Sequence, residues 1–272
     1  MQFGWLKIAV LLYGVASLAV LPAALYDRPK WRWVAVPAAL LGLFFQTISV
    51  TQMLAAAHHL VPVEASEMQG VLALLLVVAF LLTVAVYRTL MMGVVLLPVA
   101  TLLCLVPAFT HGKSTLESPM LRSGWIWLHI ALLLAAYAAL ILSLLASVLY
   151  LIQEKRLKSR STKGLLGVLP PLATTDDLIL KSLLFGLPCM TAGLLIGSLL
   201  AMQMYGAAYF HDPKVLLSFV MWLAYVAMIT IRRSAGLRGR RAVFLSAFVV
   251  FVMLAVWSAN QFSTVHQYAV RS

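Results

Sequence analysis

The apolar stretch VLALLLVVAFLLTVAVY at residues 71–87 decides the fold class of this chain. It contains no charged residue, and as an α-helix it would nearly cross a hydrocarbon core that is roughly 30 Å thick. Similar runs recur near 5–26, 33–57, 68–87, 90–110, 125–153, 180–205, 215–231 and 243–263. We therefore predict an all-α integral membrane protein, a polytopic bundle of eight transmembrane helices in a single domain over residues 1–272.

Composition favours a membrane protein over a soluble one. Apolar residues make up 63% of the chain and charged residues 10%, whereas an ordinary soluble domain has about 25% charged residues. The net charge of +12 does not indicate nucleic-acid binding, because aromatic and basic residues are not interleaved on any soluble module. Cys104 and Cys189 lie far apart inside predicted helices and form no zinc or redox motif. The first apolar run has no basic leader or cleavage signal, so we expect a retained helix.

Lysine and arginine are unequally distributed between the connections of the predicted helices. Fifteen lie in connections one, three, five and seven, and five lie at the termini and in the even connections. Such residues are enriched in cytoplasmic loops, where they also attract the anionic inner leaflet. We therefore expect an N-out/C-out, multi-pass protein of the bacterial cytoplasmic (inner) membrane, with membrane lipid as a partner.

The connections also predict local structure. The short turn at 87–89 makes helices three and four antiparallel neighbours, and helix five is long enough to extend past the bilayer. The only substantial loop that we predict, near 154–179, contains Pro170 and Pro171 and ends in a Thr174–Asp177 cluster. That cluster resembles an N-cap for helix six.

All six histidines fall on the predicted outer side of the membrane, which matters because imidazole is a common metal ligand. His129 follows a Trp125/Trp127 pair of the kind found at the interface, and it lies about one turn inside the membrane. A polar group at that depth needs a partner, so it is a candidate functional residue. Tyr137 lies just over two turns further on and could line the same cavity. The other histidines are His58, His59, His111, His211 and His266.

The predicted helices contain no hydrolase, NTPase or metalloprotease motif, and no acidic residue lies inside a span. Proton-coupled transporters usually carry intramembrane carboxylates, so a small-solute or ion transporter has little support. Gly186, Gly193, Gly197 and Pro188 in helix six allow close helix approach and a kink.

Several motifs in one order resemble the haem-handling membrane proteins of cytochrome c assembly, in particular their short eight-helix, HemX-like branch. The resemblance covers most of the chain and is clearest from about 119 to 269. The motifs are SGWIWLH (123–129), YAAL (137–140), LPPL (169–172), DD (176–177), GLP (186–188), GSLLA (197–201), YG (205–206), DPK (212–214), Trp222, GLRGRR (236–241) and VHQYA (265–269).

This resemblance implies a non-enzymatic protein that binds haem b and presents or passes it at the outer face during cytochrome c maturation. It implies that His129 and His266 are the axial ligands of the haem iron, since two helix ends can supply imidazoles to opposite faces of haem. Lys214 and Arg122 would face the propionates. The remaining implied haem contacts are Tyr137, Trp125, Tyr205, Tyr209, His211 and Asp212.

The chain departs from the full-length haem exporters at three places. Tyr205, Tyr209 and His211 stand where those proteins have a run of tryptophans. Thr230 stands where they have a histidine deep in helix seven. In helix two, where related proteins carry another buried histidine, the nearest polar residue of this chain is Gln46. These departures favour an outer haem site without a complete inner-to-outer channel.

A regulatory role is the alternative of a different class. A HemX-like protein could act through its cytoplasmic loops, at 154–179 and 232–241, on a soluble partner such as the first enzyme of tetrapyrrole synthesis. Haem export would depend instead on the outer histidines and on other cytochrome c assembly subunits as partners.

Overall fold

A computed structural model describes residues 2–26, 28–56, 65–109, 124–158, 170–235, 240–259 and 263. Within these ranges the chain forms eight α-helices and no strand, so the predicted all-α fold class is confirmed. Short 3-10 helices at Pro29–Trp31 and Gly206–His211 precede the second and seventh helices. The helices are α1 (Gln2–Leu25), α2 (Arg32–Ala56), α3 (Ala65–Tyr87), α4 (Gly93–Phe109), α5 (Gly124–Lys158), α6 (Leu172–Tyr205), α7 (Pro213–Ala235) and α8 (Arg240–Ser258).

Six of these helices are long and apolar enough to cross a membrane. The chain is therefore a multi-pass membrane protein. Large apolar side chains such as Leu11, Phe44 and Phe251 are mostly exposed on the outer faces of the helices, which suits contact with hydrocarbon rather than water. The two shorter apolar helices are α4 and the segment Val243–Ser258 of α8. Membrane crossing by all eight helices stays a prediction.

The helices form two groups of four that share one apolar core. In the first group α1 packs on α2 and α4, and α3 packs on the same two helices. In the second group α5 packs on α6 and α8, and α7 packs on the same two helices. The α3–α5 contact joins the two groups. As predicted, α3 and α4 are antiparallel neighbours, because Gly70 at the start of α3 lies beside Pro107 at the end of α4.

Glycines allow rings to pack against the backbones of neighbouring helices. The Tyr13 ring lies against Gly42, the Phe80 ring against Gly93, and the Tyr225 hydroxyl against Gly186. A methyl group on any of these glycines would come within 3 Å of its neighbour. Small residues at helix contacts allow this close approach. In a lipid bilayer, where the hydrophobic effect does not drive helices together, such close packing favours helix association.

Gln46 is the polar centre of the first group of helices. It is fully buried and its side-chain oxygen accepts a hydrogen bond from the Tyr13 hydroxyl at 2.5 Å. Its amide nitrogen donates to the Gly70 carbonyl oxygen at 2.8 Å and to the Cys104 sulfur at 3.1 Å. One side chain thus connects α2 to α1, α3 and α4, and both ends of its amide are satisfied.

The start of α6 differs from the prediction. We expected the helix near residue 180 with Thr174–Asp177 as its N-cap, but α6 begins at Leu172 and Pro171 occupies the cap position without a side-chain hydrogen bond. The predicted cluster lies inside the helix because its side chains bind other helices. α5 runs on to Lys158, as expected, and its 35 residues measure roughly 50 Å.

Three consecutive residues of α6 connect it to three other helices at this end. Thr175 exchanges hydrogen bonds with Gln153 of α5 at 3.2 Å. Asp176 forms an ion pair with the mostly buried Arg232 of α7. Asp177 accepts a hydrogen bond from the Tyr87 hydroxyl of α3 at 3.0 Å. These contacts fix the position of α6, the helix that packs most extensively on α5.

Candidate functional site

His129 lies about one and a half turns into α5 and its ring faces α6. Nδ1 of the imidazole is 2.6 Å from the backbone carbonyl oxygen of Gly193. A carbonyl oxygen only accepts hydrogen bonds, so Nδ1 must carry the hydrogen. In the neutral ring the lone pair is then on Nε2. Metal-binding histidines commonly have this arrangement, in which the nitrogen that does not bind the metal donates to a carbonyl or carboxylate.

Gly197, one turn beyond Gly193 on α6, provides the space for the imidazole. A methyl group on Gly197 would lie 2.3 Å from Cε1 of His129, 2.6 Å from Nδ1 and 3.1 Å from Nε2. These distances are far below ordinary van der Waals contact. The ring therefore lies against the bare backbone of α6, and its orientation is set by one hydrogen bond and one glycine.

The start of α7 places a cation near this imidazole. Asp212 is buried, and its Oδ1 accepts hydrogen bonds from the backbone N–H groups of Lys214 at 3.0 Å and Val215 at 3.4 Å. Together with Pro213 at the first helical position, this is a typical helix N-cap. Lys214 thus lies in the first turn of α7, and its positive charge acts electrostatically on His129.

Asp212 also contacts the chain beyond α8. Its Oδ2 accepts a hydrogen bond from the Ser263 hydroxyl at 2.8 Å, and Ser263 is fully buried. This contact brings Ser263, five residues beyond the end of α8, to the N-terminus of α7. His129, Lys214, Asp212 and Ser263 therefore lie at the same end of the second helix group.

The predicted aromatic residues surround this end with different exposures. Trp125 is 62% exposed and Tyr205 is 42% exposed, and His211 is also exposed. Tyr209 is buried, and its ring lies 4.1 Å from the ring of Phe210. Tyr209 thus packs the turn between α6 and α7, whereas the other three side chains are accessible.

Other residues that the sequence analysis singled out lie away from His129 or outside the described residues. Tyr137 is buried in the core, and eight residues along α5 separate it from His129 by about 12 Å of helix. Thr230 is exposed, and its hydroxyl donates to the Val226 carbonyl oxygen of its own helix. His266 and Arg122 lie outside the described residues, as do His58, His59 and His111.

Sequence reasoning did not identify the partners of His129 and Asp212. The spacing of Gly193 and Gly197 is a small-xxx-small pattern, which could have indicated a close helix contact but not which side chain enters it. Ser263 carried no signal, because its contact joins residues that are 51 positions apart. In the part of the chain that the structure describes, no group of three or more His, Cys, Asp or Glu side chains could hold a metal ion by itself.

Comparisons with known proteins show the family of the chain. A family model described as Cytochrome C assembly protein matches residues 60–266, about three quarters of the chain. A cytochrome c biogenesis protein CcsA from Prochlorococcus marinus subsp. pastoris is 32% identical, over 53% of this chain and 52% of that protein. The CcsA of Prochlorococcus marinus strain MIT 9312 is 34% identical over 50% of each chain.

The CcsA of Guillardia theta is 30% identical, over 48% of this chain and 50% of that protein. The chain spans about half the length of the curated relatives it matches. Residues 60–266 include α3 to α8 and every described residue of the candidate site. The match extends over well more than half of the sequence, and the chain belongs to the cytochrome c assembly protein family.

Proposed function

We propose that this protein binds haem at the outer face of the bacterial cytoplasmic membrane and presents or passes it during cytochrome c maturation, without itself being an enzyme. The observation that carries the proposal is the hydrogen bond between Nδ1 of His129 and the Gly193 carbonyl oxygen. It leaves Nε2 of a neutral imidazole as the nitrogen that can bind iron. Family membership supports haem as the ligand.

His266 is the proposed second axial ligand. It follows Ser263 by three residues, and three residues span at most about 11 Å. Since Ser263 is hydrogen-bonded to Asp212 at the start of α7, this reach supports a second imidazole from the chain beyond α8. Two imidazoles on opposite faces of the porphyrin would hold haem b without a covalent bond to the protein.

Cations and aromatic rings complete the proposed site. Lys214, near His129, would bind a haem propionate, and Arg122 would serve as a second cation. The exposed Trp125 and Tyr205 would cover the porphyrin with aromatic surface. Asp212 is a poor propionate ligand because its carboxylate and a propionate are both negatively charged. Asp212 instead holds the start of α7 in place. Tyr209 packs the turn that precedes it.

The orientation of the protein is part of the proposal. The fifteen-to-five division of Lys and Arg supports both termini outside the cytoplasm. Reporter fusions should find the connections near residues 60, 115 and 211 outside, and those near 165 and 236 inside. A cytoplasmic C-terminus would move His129 to the wrong face of the membrane and contradict an outer haem site.

Haem content tests the proposal directly. The protein should purify in detergent with haem, or bind haem added at equimolar concentration, and acidic acetone should extract that haem as haem b. A protein that neither purifies with haem nor binds it would contradict the proposal, and regulation of tetrapyrrole synthesis through the cytoplasmic loops would become the leading hypothesis.

A further inference from the structure

Trp222 of α7 binds α6 close to the point where His129 contacts the same helix. Its indole N–H donates to the Thr191 hydroxyl at 2.9 Å, and that hydroxyl donates to the Leu187 carbonyl oxygen at 2.8 Å. The indole is partly buried and packs against the apolar core. An N–H without a partner is costly in such surroundings, so this hydrogen bond ties α7 to α6.

Pro188 makes the middle of α6 easier to bend than the rest of the helix. Proline has no N–H, so it removes the hydrogen bond to the carbonyl oxygen four residues earlier, and sharp helix kinks usually occur at proline. Thr191 lies three residues beyond Pro188. The hydrogen bond from Trp222 therefore holds α6 on the side of the proline that leads to Gly193 and Gly197.

Trp222 and His129 contact different faces of this segment. Gly193 lies two residues beyond Thr191, which is about 3 Å along the helix axis and about 200° around it. The Gly193 carbonyl oxygen accepts from His129 of α5, while the Thr191 hydroxyl accepts from Trp222 of α7. A tilt or rotation of α6 that displaced Thr191 would displace the Gly193 carbonyl oxygen as well.

We propose that Trp222 is a positioning residue for His129. Through Thr191 it fixes the segment of α6 that carries Gly193, and thereby it fixes the orientation of the imidazole. The consequence for haem rests on the proposed function. If the imidazole occupies its binding-competent orientation only part of the time, the apparent affinity for haem falls by that fraction.

Substitutions at both ends of the hydrogen bond test this role. Thr191→Val removes the hydroxyl with little change of shape, and Trp222→Phe removes the N–H but keeps an aromatic ring. One neutral hydrogen bond corresponds to about a five-fold change in such a population. We expect each variant to raise the apparent Kd for haem about five-fold, and the double variant to raise it no further, because both substitutions remove the same bond.

Two control variants separate positioning from a general loss of stability. Thr191→Ser keeps the hydroxyl and should restore the haem affinity of the unmodified protein. Thr175→Val also removes a hydrogen bond between helices, the one from α6 to Gln153 of α5. Thr175 lies before Pro188 and about 27 Å from Gly193 along the helix, so Thr175→Val should lower stability without changing haem affinity.

The ring nitrogens of His129 provide a readout that needs no haem. In the unmodified protein Nδ1 carries the hydrogen, and ¹⁵N NMR of the haem-free protein should show this single tautomer. Thr191→Val and Trp222→Phe should show a second population with the hydrogen on Nε2, whereas Thr175→Val should not.

The tautomer and the haem titration give distinguishable outcomes. A His129 spectrum that is the same in Thr191→Val as in the unmodified protein, or one that changes equally in Thr175→Val, would overturn the positioning role. A tautomer change confined to Thr191→Val and Trp222→Phe, in a protein that binds no haem, would support the positioning role and contradict the proposed function.

Discussion

Replacing Gly197 with alanine tests how α6 holds the His129 imidazole. The added methyl group would lie 2.3 Å from Cε1 and 2.6 Å from Nδ1 of the ring, whereas carbon atoms pack at about 3.5–4.0 Å. The ring must therefore move by roughly 1 Å or more. That movement is large enough to disrupt the 2.6 Å contact between Nδ1 and the Gly193 carbonyl oxygen.

Two terms set the size of the expected effect. Overpacking of a well-packed interior costs about 1–3 kcal/mol, and the lost hydrogen bond contributes about 1 kcal/mol more. If the displaced ring is also an iron ligand, we expect haem binding to become about 10- to 100-fold weaker. This change corresponds to about 1.4–2.8 kcal/mol of binding free energy. The assay is a haem titration of the detergent-purified Gly197→Ala variant, followed by absorption, with thermal unfolding measured in parallel.

Gly186→Ala is the matched control on the same helix. Its methyl group would meet the Tyr225 hydroxyl and the Ala139 methyl group instead of the imidazole. Both variants should lose stability, but only Gly197→Ala should lose haem affinity. If Gly197→Ala binds haem as tightly as the wild type, or if the two variants weaken binding equally, then Gly197 does not position His129.

Three further substitutions test other parts of the account. Thr230→Val should leave haem content and the haem spectrum unchanged, because this exposed side chain bonds only to its own helix; a clear loss of haem would mean that the site has been misplaced. Arg232→Ala should lower the free energy of unfolding by about 2 kcal/mol, because it removes an ion pair with a partly buried carboxylate; equal loss in the exposed Arg233→Ala would contradict this. Gln46→Leu should cost about 1–3 kcal/mol by leaving buried hydrogen-bonding groups without a partner, yet change no haem band; a shifted haem spectrum would show that the first helix group contributes to the haem site.

Uninterrupted apolar runs were sufficient to predict the helices, because a hydrocarbon core about 30 Å thick requires runs of about 20 apolar residues. The boundaries that failed are those where side chains bind other helices. Thr175, Asp176 and Asp177 have the composition of a helix cap, but in three dimensions they meet Gln153, Arg232 and Tyr87. These pairings join residues of different helices, and the amino-acid sequence alone does not show which helices meet.

The same limit applies to the candidate site. The depth of His129 in a predicted span was enough to single it out, because an imidazole there needs a partner. Its partner, however, is a backbone carbonyl oxygen, and every residue has one of those. Asp212 was predicted as a haem contact from its motif, whereas its two oxygens bind the start of α7 and Ser263. The motifs predicted these residues, and their contacts became visible only in the packing of the helices.

The absorption spectrum of the reduced, detergent-purified protein tests the central claim most directly. If His129 and His266 are the axial ligands, the wild type should show the sharp visible bands of six-coordinate low-spin haem, since two imidazoles form a strong ligand field. Replacing either histidine with alanine should give high-spin or substoichiometric haem, and added imidazole should partly restore the low-spin bands. A double replacement of His58 and His59 should keep the wild-type spectrum. Wild-type spectra in both single variants, or a wild-type protein that fails to bind haem, would contradict the account.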